Sequence, residues 1–413
     1  MERIMATGGR AKKNGHKGLI GRMACMACAL ALLNACGLID TVFPDDEKVH
    51  LPGERISVLL HERALKPDPK VADAKILLPK PSVNASWPQS GGYANHAMHH
   101  IAVGEVLKPL WRADTGEDAD DETPIVGAPI VAGGRVFAMD AETTVSAFDA
   151  KTGKLLWEAE LTPDDEDDGH ISGGIAYEGG RIFVATGFAQ VIALDAGDGS
   201  EIWRQTVGSP LRSAPTIRGG RVFAVTVDNK LHALDAVNGG SLWTHTGITE
   251  IASLLGGGSP AVDGGVVVVP YSSGELVALK VENGRRLWAD SLASARRSVA
   301  VSTLSHIRGR PVIDRGRVFA FSTGGLMAAI DLRTGRRIWD REIGGLESPW
   351  VAGNYIFVLS NDAELVCMSR RDGGIYWVRA LPRYEDEKDK EDPIVWSGPI
   401  LAGDRLILAG SHG

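Results

Sequence analysis

Apolar residues recur along this chain in short blocks rather than in helical stripes. In Ser213–Gly247, a Gly pair precedes the block Arg221–Val225, and a second block, Lys230–Leu234, ends at an Asp before a Gly and a Trp. Blocks of about five residues that are rich in β-branched and apolar side chains, and bounded by turn residues, are typical of strands. The pattern therefore predicts β-hairpins in series.

The same unit occurs six times in one register, which indicates an internal repeat. Its fixed point is a Trp with a Gly four residues before it. The six positions are Trp157, Trp203, Trp243, Trp288, Trp339 and Trp377. Four short strands in roughly 40–50 residues are typical of a propeller blade. The predicted fold is an all-β propeller of four-stranded blades, with each Trp on a fourth strand and packed against the neighbouring sheet.

The register also predicts where the blades lie. Six complete blades are expected at 127–161, 172–207, 213–247, 258–292, 309–343 and 347–380. A seventh is expected to begin at Trp396, and the repeat would place its Trp beyond Gly413, so the propeller is expected to be incomplete at its C-terminus. Trp111 lacks three preceding strands of its own and is expected to close the ring as an outer strand.

The turn residues fit this interpretation. Paired glycines such as Gly133-Gly134 supply the positive φ that a tight hairpin needs. The spacing of Asp149 and Gly153 recurs in most units and fits a longer turn, in which the Asp side chain binds backbone N–H groups and the Gly is left-handed.

The N-terminus predicts export. Basic residues precede Met23–Leu33, an apolar run of 11 residues that is too short to span a bilayer. Leu33–Gly37 resembles a bacterial lipobox, which implies a signal peptide over 1–35 and lipidation of Cys36. Residues 36–86 are then expected to be a tether and extended segment, and 87–413 the propeller. An ordinary cleaved signal, or a buried Cys36, is the alternative.

The cysteines predict no disulfide bond. Cys25 and Cys28 lie in the predicted signal peptide, and acylation of Cys36 leaves Cys367 without a partner. Cys367 falls in a predicted strand and is expected to be a core thiol.

Little in the composition points to catalysis or to metal. The net charge of −8 argues against nucleic-acid binding. His96, His99 and His100 are closely spaced, but no carboxylate or cysteine cluster accompanies them, so a polar loop is expected rather than a metal site. No nucleophile elbow, zinc-protease motif or phosphate loop occurs, which predicts a non-enzyme without a cofactor. Three acidic stretches are expected to form a solvated rim: Asp118–Glu122, Asp164–Asp168 and Glu385–Asp392.

One connection between blades differs from the others. The interval from Trp288 to Trp339 is the longest, at 51 residues, and it carries four arginines on an otherwise acidic protein: Arg296, Arg297, Arg308 and Arg310. A basic, partly apolar insertion of this kind is a candidate partner-binding surface. An ordinary long loop is the alternative.

The repeat, with its Gly pair, its Ala-Leu-Asp-Ala run and its Gly-x-x-x-Trp step, resembles the pyrroloquinoline-quinone dehydrogenase-like propeller family. With the lipobox and the chain length, it is similar to the lipoprotein scaffolds of the outer-membrane β-barrel assembly (BAM) complex. The resemblance implies an eight-bladed, non-catalytic protein anchored at the periplasmic face of the outer membrane. It also implies binding to the POTRA domains of the insertase BamA, contact with other BAM subunits, and help for unfolded β-barrel clients.

In that family the insertase contact lies in loops that enter the fourth and fifth blades. By register these are Ser253–Gly256 and Leu304–Arg308, so Leu254, Leu255, His306 and Arg308 join the expected partner-binding residues. The well-known family form has Leu-Arg-Gly-Glu and Asp-Val-Asp there. This chain has Leu255 for the Arg, and His306 and Arg308 for the two Asp, so the charge of the contact is expected to differ.

Two other functions stay open at this point. A quinoprotein dehydrogenase would need a vicinal cysteine pair and a calcium-binding set, whereas Cys367 stands alone in the predicted propeller. A propeller that binds a ligand in its central funnel is the third interpretation, and bound ligand in purified protein would distinguish it.

Overall fold

The computed structural model describes residues 65–119, 124–164, 166, 170–250, 254–293 and 305–412. Across these ranges the chain forms β-strands and no helix, and most strands belong to six consecutive four-stranded antiparallel sheets. The all-β, bladed fold class predicted from the repeat is confirmed. The predicted signal peptide and Cys36 lie outside the described residues. In the described part, no helix has the length and apolarity needed to cross a bilayer.

Each blade is a meander that runs from an inner strand to an outer strand. The first blade contains β1 (Ile130–Ala132), β2 (Arg135–Met139), β3 (Thr144–Asp149) and β4 (Leu155–Glu160). The second contains β5 (Gly174–Glu178), β6 (Arg181–Ala185), β7 (Gln190–Asp195) and β8 (Glu201–Thr206). The third contains β9 (Thr216–Arg218), β10 (Arg221–Val225), β11 (Lys230–Asp235) and β12 (Ser241–Thr246). The fourth contains β13 (Ala261–Asp263), β14 (Val266–Pro270), β15 (Glu275–Lys280) and β16 (Arg286–Ser291).

The remaining strands continue this order. The fifth blade contains β17 (Val312–Asp314), β18 (Arg317–Phe321), β19 (Met327–Asp331) and β20 (Arg337–Arg341). The sixth contains β21 (Trp350–Ala352), β22 (Tyr355–Leu359), β23 (Glu364–Ser369) and β24 (Ile375–Ala380). A hairpin of β25 (Tyr384–Asp386) and β26 (Glu391–Pro393) contains the acidic stretch Glu385–Asp392. The strands β27 (Trp396–Ala402) and β28 (Arg405–Gly410) form a last pair, which begins at the Trp predicted to open a seventh blade.

The repeat places one row of side chains across each blade. In the second blade Phe183, Ala193 and Trp203 are direct cross-strand partners, and the Phe and Trp ring centroids are 6.0 Å apart. The small central residue leaves room for the two rings on the same face of the sheet. Cys367 takes the small position in the sixth blade, between Phe357 and Trp377, where it is fully buried.

Neighbouring blades are joined at the same Trp. Trp203 Nε1 donates to the carbonyl oxygen of Ala236 in the next blade at 3.2 Å, and Arg181 Nη1 donates to the same oxygen at 2.7 Å. The ring lies over Gly239, where an added Cβ would come within 2.6 Å of a ring carbon. The Gly that recurs four residues before each Trp is therefore required by close approach as well as by its positive φ of 74°.

The Arg donor that Arg181 represents is not present at every junction between blades. It joins the first blade to the second, the second to the third and the fifth to the sixth. In the fourth blade the corresponding residue is Val266, and in the third blade Arg221 donates instead to Gly219 of its own turn at 3.5 Å. The two junctions on either side of the fourth blade therefore keep the Trp contact, through Trp243 and Trp288, without the second donor.

A segment at 87–102 crosses the inner strands of successive blades. Its Trp87 pairs with Val131 of β1, its Ala94 carbonyl accepts from Val262 of β13 at 2.7 Å, and Ile101 pairs with Ala402 of β27. Inner strands would otherwise leave their backbone groups unpaired, which is costly away from water. The segment thus satisfies the inner edges of several blades, an arrangement that the sequence pattern did not predict.

The described part of the predicted tether also packs on the propeller. Asp68 N–H donates to Ile375 of β24 at 2.8 Å, and Leu77 N–H donates to the hydroxyl of Tyr355 at 2.8 Å. Residues 65–79 therefore run along the sixth blade.

Trp111 has the contacts of a blade Trp without the strand. Its Nε1 donates to the carbonyl oxygen of Ala150 at 3.1 Å and its ring covers Gly153. The Trp residues of the first five blades make the same two contacts with the blade that follows. Residues 107–119 are not assigned to a strand. The predicted closing position is thus occupied by Trp111, while the predicted strand is absent from these described residues.

Candidate partner-binding site

The two loops singled out in the sequence emerge at the same end of the blades. Because each blade is a four-stranded meander, the connections between blades share one end with the turns between second and third strands. We call this end the upper face. The loop from β12 to β13 contains Leu254–Gly258, and the loop from β16 to β17 contains Ser305–Arg310. Arg296, Arg297, Ser253 and Leu304 lie outside the described residues.

Hydrogen bonds hold the two loops together. Leu254 N–H donates to His306 Nδ1 at 3.2 Å, and Arg308 Nε donates to the carbonyl oxygen of Leu255 at 3.0 Å. Leu255 remains 39% exposed beside this contact. Leu254, Leu255, His306 and Arg308 therefore form one continuous surface, which we call the loop pair.

His306 is buried and neutral. Its side chain is 5% exposed, and its backbone carbonyl accepts from Thr323 N–H at 3.0 Å. Burial, and secondarily the charge of Arg308, lowers the pKa of His306 to about 4. Since Nδ1 accepts a hydrogen bond, the single proton of the neutral ring is assigned to Nε2.

A small cavity lies beneath the loop pair. It measures about 30 Å³ and lies between the third and fourth blades, with Gly256–Gly258 on one side. Arg212, from the loop between β8 and β9, and His306 both line it, and no Asp or Glu is among its described lining residues. The cavity is therefore lined by Arg212 and His306, which can donate hydrogen bonds, but by no described carboxylate that could accept them.

Arg310 does not belong to the loop pair. Its Nη1 donates to Ser90 Oγ at 3.1 Å, and its N–H donates to Ser348 Oγ at 2.9 Å, so its side chain points to the inner segment 87–102. Burial lowers the pKa of the Arg310 guanidinium. The structure therefore separates Arg308 from Arg310, although the two are close in sequence.

The three closely spaced histidines have different partners. His96 Nδ1 lies 2.8 Å from the carbonyl oxygen of Pro311, His100 Nδ1 lies 2.7 Å from that of Pro79, and His99 faces Asp314. His96 and His100 are buried rather than part of an exposed loop. Among the described residues, no group of three or more His, Cys, Asp or Glu side chains is placed to hold a metal ion.

Sequence reasoning missed Arg212 at this site. Arg212 lies three residues before Pro215, and Arg308 lies three residues before Pro311, so the two arginines occupy the same position of the repeat. Aligning the connections between blades by their Pro would have brought Arg212 to attention.

Comparison with known proteins assigns a family. A family model described as outer membrane protein assembly factor BamB matches residues 107–169 and 141–379. The BamB of Shigella dysenteriae serotype 1 is 29% identical over 154 residues, which are 37% of this chain and 38% of that protein. The BamB of Escherichia coli K12 has the same identity and coverage. The curated relatives are thus matched over well under half of their own length.

A solved structure agrees in fold. The crystal structure of BamB from Moraxella catarrhalis superposes with a TM-score of 0.59 at 20% identity, covering 71% of this chain and 83% of that one. At this identity the likeness establishes the propeller fold alone. Because the family model extends over more than half of its length, this chain belongs to the family of the outer membrane protein assembly factor BamB.

Proposed function

We propose that this protein is a non-catalytic scaffold of outer-membrane β-barrel assembly, and that its loop pair binds the POTRA domains of BamA. Family membership supports the general role. The observation that carries the finer proposal is the bonding of the loops, through His306 and Arg308, into one surface with an exposed Leu255. An exposed apolar side chain beside charged groups is typical of a protein contact. The same propeller would hold other BAM subunits and present unfolded β-barrel clients to the insertase.

The proposed location is the periplasmic face of the outer membrane. The lipobox-like sequence that ends at Cys36 supports a lipid anchor there. Replacement of Cys36 by Ser is expected to abolish incorporation of labelled palmitate and to release the protein into the soluble periplasmic fraction. Retention of the variant in the outer-membrane fraction would contradict the anchor.

Binding can be tested with the full chain in mild detergent and the isolated POTRA domains of the same organism. Arg308→Glu reverses a charge in the loop pair and removes the bond to Leu255, so the affinity is expected to fall at least tenfold. The matched control is Arg333→Glu, an exposed residue in the turn between β19 and β20, at the opposite end of the fifth blade.

Equal affinities of the two variants would argue that the loop pair is not the contact. If the unmodified chain shows no binding, the assignment of BamA as its partner is wrong.

A further inference from the structure

The cavity beneath the loop pair is lined by Arg212, whose buried Nε has no acceptor among the described residues. Arg212 makes no hydrogen bond or ion pair with any described residue, and its Nε is buried. His306, whose side chain is 5% exposed, also lines the cavity and carries its proton on Nε2. Buried donors in native proteins are nearly always paired, and one that is not calls for a reason.

Two other polar side chains of the cavity, Asn229 and Thr226, already have partners. Asn229 accepts from the backbone and the side chain of Ser272 at 3.1 and 3.0 Å. Thr226 donates to Asp228 at 2.5 Å, and that carboxylate also binds Lys230 Nζ at 2.7 Å. The nearby acid is therefore engaged in its own turn and does not pair with Arg212.

A second cation lies at the mouth of the cavity. The guanidinium of Arg308 packs against Gly256, where an added Cβ would lie 3.4 Å from Nε and 3.8 Å from Nη2. Among the described residues only Nε of this group is bonded, to Leu255, so its terminal nitrogens have no partner there. The site thus combines two cations, a neutral N–H donor and a Gly-rich wall that allows close approach.

We propose that this cavity is a carboxylate seat, and that it receives one Asp or Glu side chain of the protein partner that binds the loop pair. About 30 Å³ is a few times the space that one water needs, which suits a planar carboxylate. Two guanidinium groups and an N–H donor match its oxygens. The exposed Leu255 beside the mouth favours a protein surface over a free anion, which the net charge of −8 would repel.

This assignment rests on the proposed function for the identity of the partner, and it deepens that function by defining the partner's chemistry. The seat explains why the loop pair can lack acidic residues: the negative charge comes from the other protein. Since Arg212 has no partner within the described chain, its loss is expected to leave folding unharmed.

The test measures POTRA binding to the full chain with Arg212→Met and with Arg218→Met. Arg218 is an exposed arginine of the same blade, at the end of β9 away from the upper face, so the control removes the same charge. Arg212→Met is expected to weaken binding roughly 30-fold or more, because it removes one of the two guanidinium groups that bind the buried carboxylate, while its melting temperature does not fall. Arg218→Met is expected to bind like the unmodified chain.

A scan of the partner then identifies the carboxylate. Each exposed Asp or Glu of the POTRA domains is changed to Asn or Gln. One of these changes is expected to weaken binding to the unmodified chain and to have no further effect on Arg212→Met. If POTRA binding is intact in Arg212→Met, the seat is wrong while the proposed function stands.

If the POTRA domains do not bind at all, the proposed function fails. The carboxylate seat is then tested with acetate, which is a probe independent of the partner. The chain labelled with ¹⁵N-histidine is titrated with sodium acetate at constant ionic strength. A saturable shift of the His306 Nε2–H resonance that is lost in Arg212→Met supports a carboxylate seat. Absence of a shift, or tighter binding of phosphate than of acetate, overturns it.

Discussion

Gln89 is the residue through which the role of the inner segment 87–102 can best be tested. Its side chain is 5% exposed and imitates a neighbouring strand: Nε2 donates to the carbonyl oxygen of Ile217 at 2.8 Å, and Oε1 accepts from Ile217 N–H at 3.0 Å. Ile217 lies on the inner strand β9 and is fully buried. Replacing Gln89 with Leu keeps the size of the side chain and removes both partners.

The expected loss follows from these two bonds. A buried backbone donor or acceptor that loses its partner costs about 1–3 kcal/mol, so the two groups of Ile217 together cost about 2–6 kcal/mol. The greater hydrophobicity of Leu offsets about 1 kcal/mol of this. Gln89→Leu is therefore expected to lower the free energy of unfolding by about 1–5 kcal/mol, measured by urea titration with tryptophan fluorescence.

Gln205→Leu is the matched control. Its amide lies on the outer strand β8 and donates only to the adjacent Thr206 at 2.9 Å, so a change within about 0.5 kcal/mol is expected. If both variants unfold at the same urea concentration as the unmodified chain, the inner segment does not pair with the blades as described.

Three further outcomes are expected from single side chains. Trp243→Ala removes the ring and the bond to the fourth blade, and should cost roughly 3–5 kcal/mol; an unchanged thermal melting curve would contradict the blade junction. Cys367→Ala should change stability by less than about 1 kcal/mol, whereas Cys367→Leu should cost about 1–3 kcal/mol by overpacking, as urea titration can compare. Burial lowers the pKa of His96 to about 3, so its contribution to stability is complete above the unfolded pKa of about 6.5 and is lost as the pH falls towards 3. From pH 7 to pH 5 this loss is about 2 kcal/mol, and His96→Asn should flatten the pH dependence in urea titrations; an equally steep dependence would exclude His96 as its source.

The repeat made the blades predictable because each requirement is local. A hairpin turn needs a Gly, and a Trp that covers the next blade needs a Gly beneath its ring. The pair of Trp157 and Gly199 therefore indicates the junction between the first and second blades from sequence alone. The Asp side chain in the longer turn is likewise local: Asp149 accepts from the N–H groups of Lys151 and Thr152, and Gly153 is left-handed, as predicted.

The inner segment and the cavity were not predictable in the same way. Gln89 acts on Ile217 across 128 residues, and nothing in either local sequence reports the pairing. His96 appeared as a polar loop residue, because spacing does not show burial. Length and charge singled out the loop that contains Arg308, and the family resemblance added Leu254, Leu255 and His306. Arg212 comes from a different connection and lines the same cavity as His306 only in the folded chain.

The unequal junctions bear on how the protein responds to its partner. Both Trp junctions of the fourth blade lack the second donor that Arg135 and Arg181 supply to the second blade, and other side chains join the fourth blade to its neighbours, such as Arg337 bound to Asp290. The loop pair extends from those same two junctions. A partner that contacts both Leu255 and Arg308 would therefore bridge the two junctions of the fourth blade. Amide hydrogens of that blade should then exchange more slowly in the complex than in the free protein.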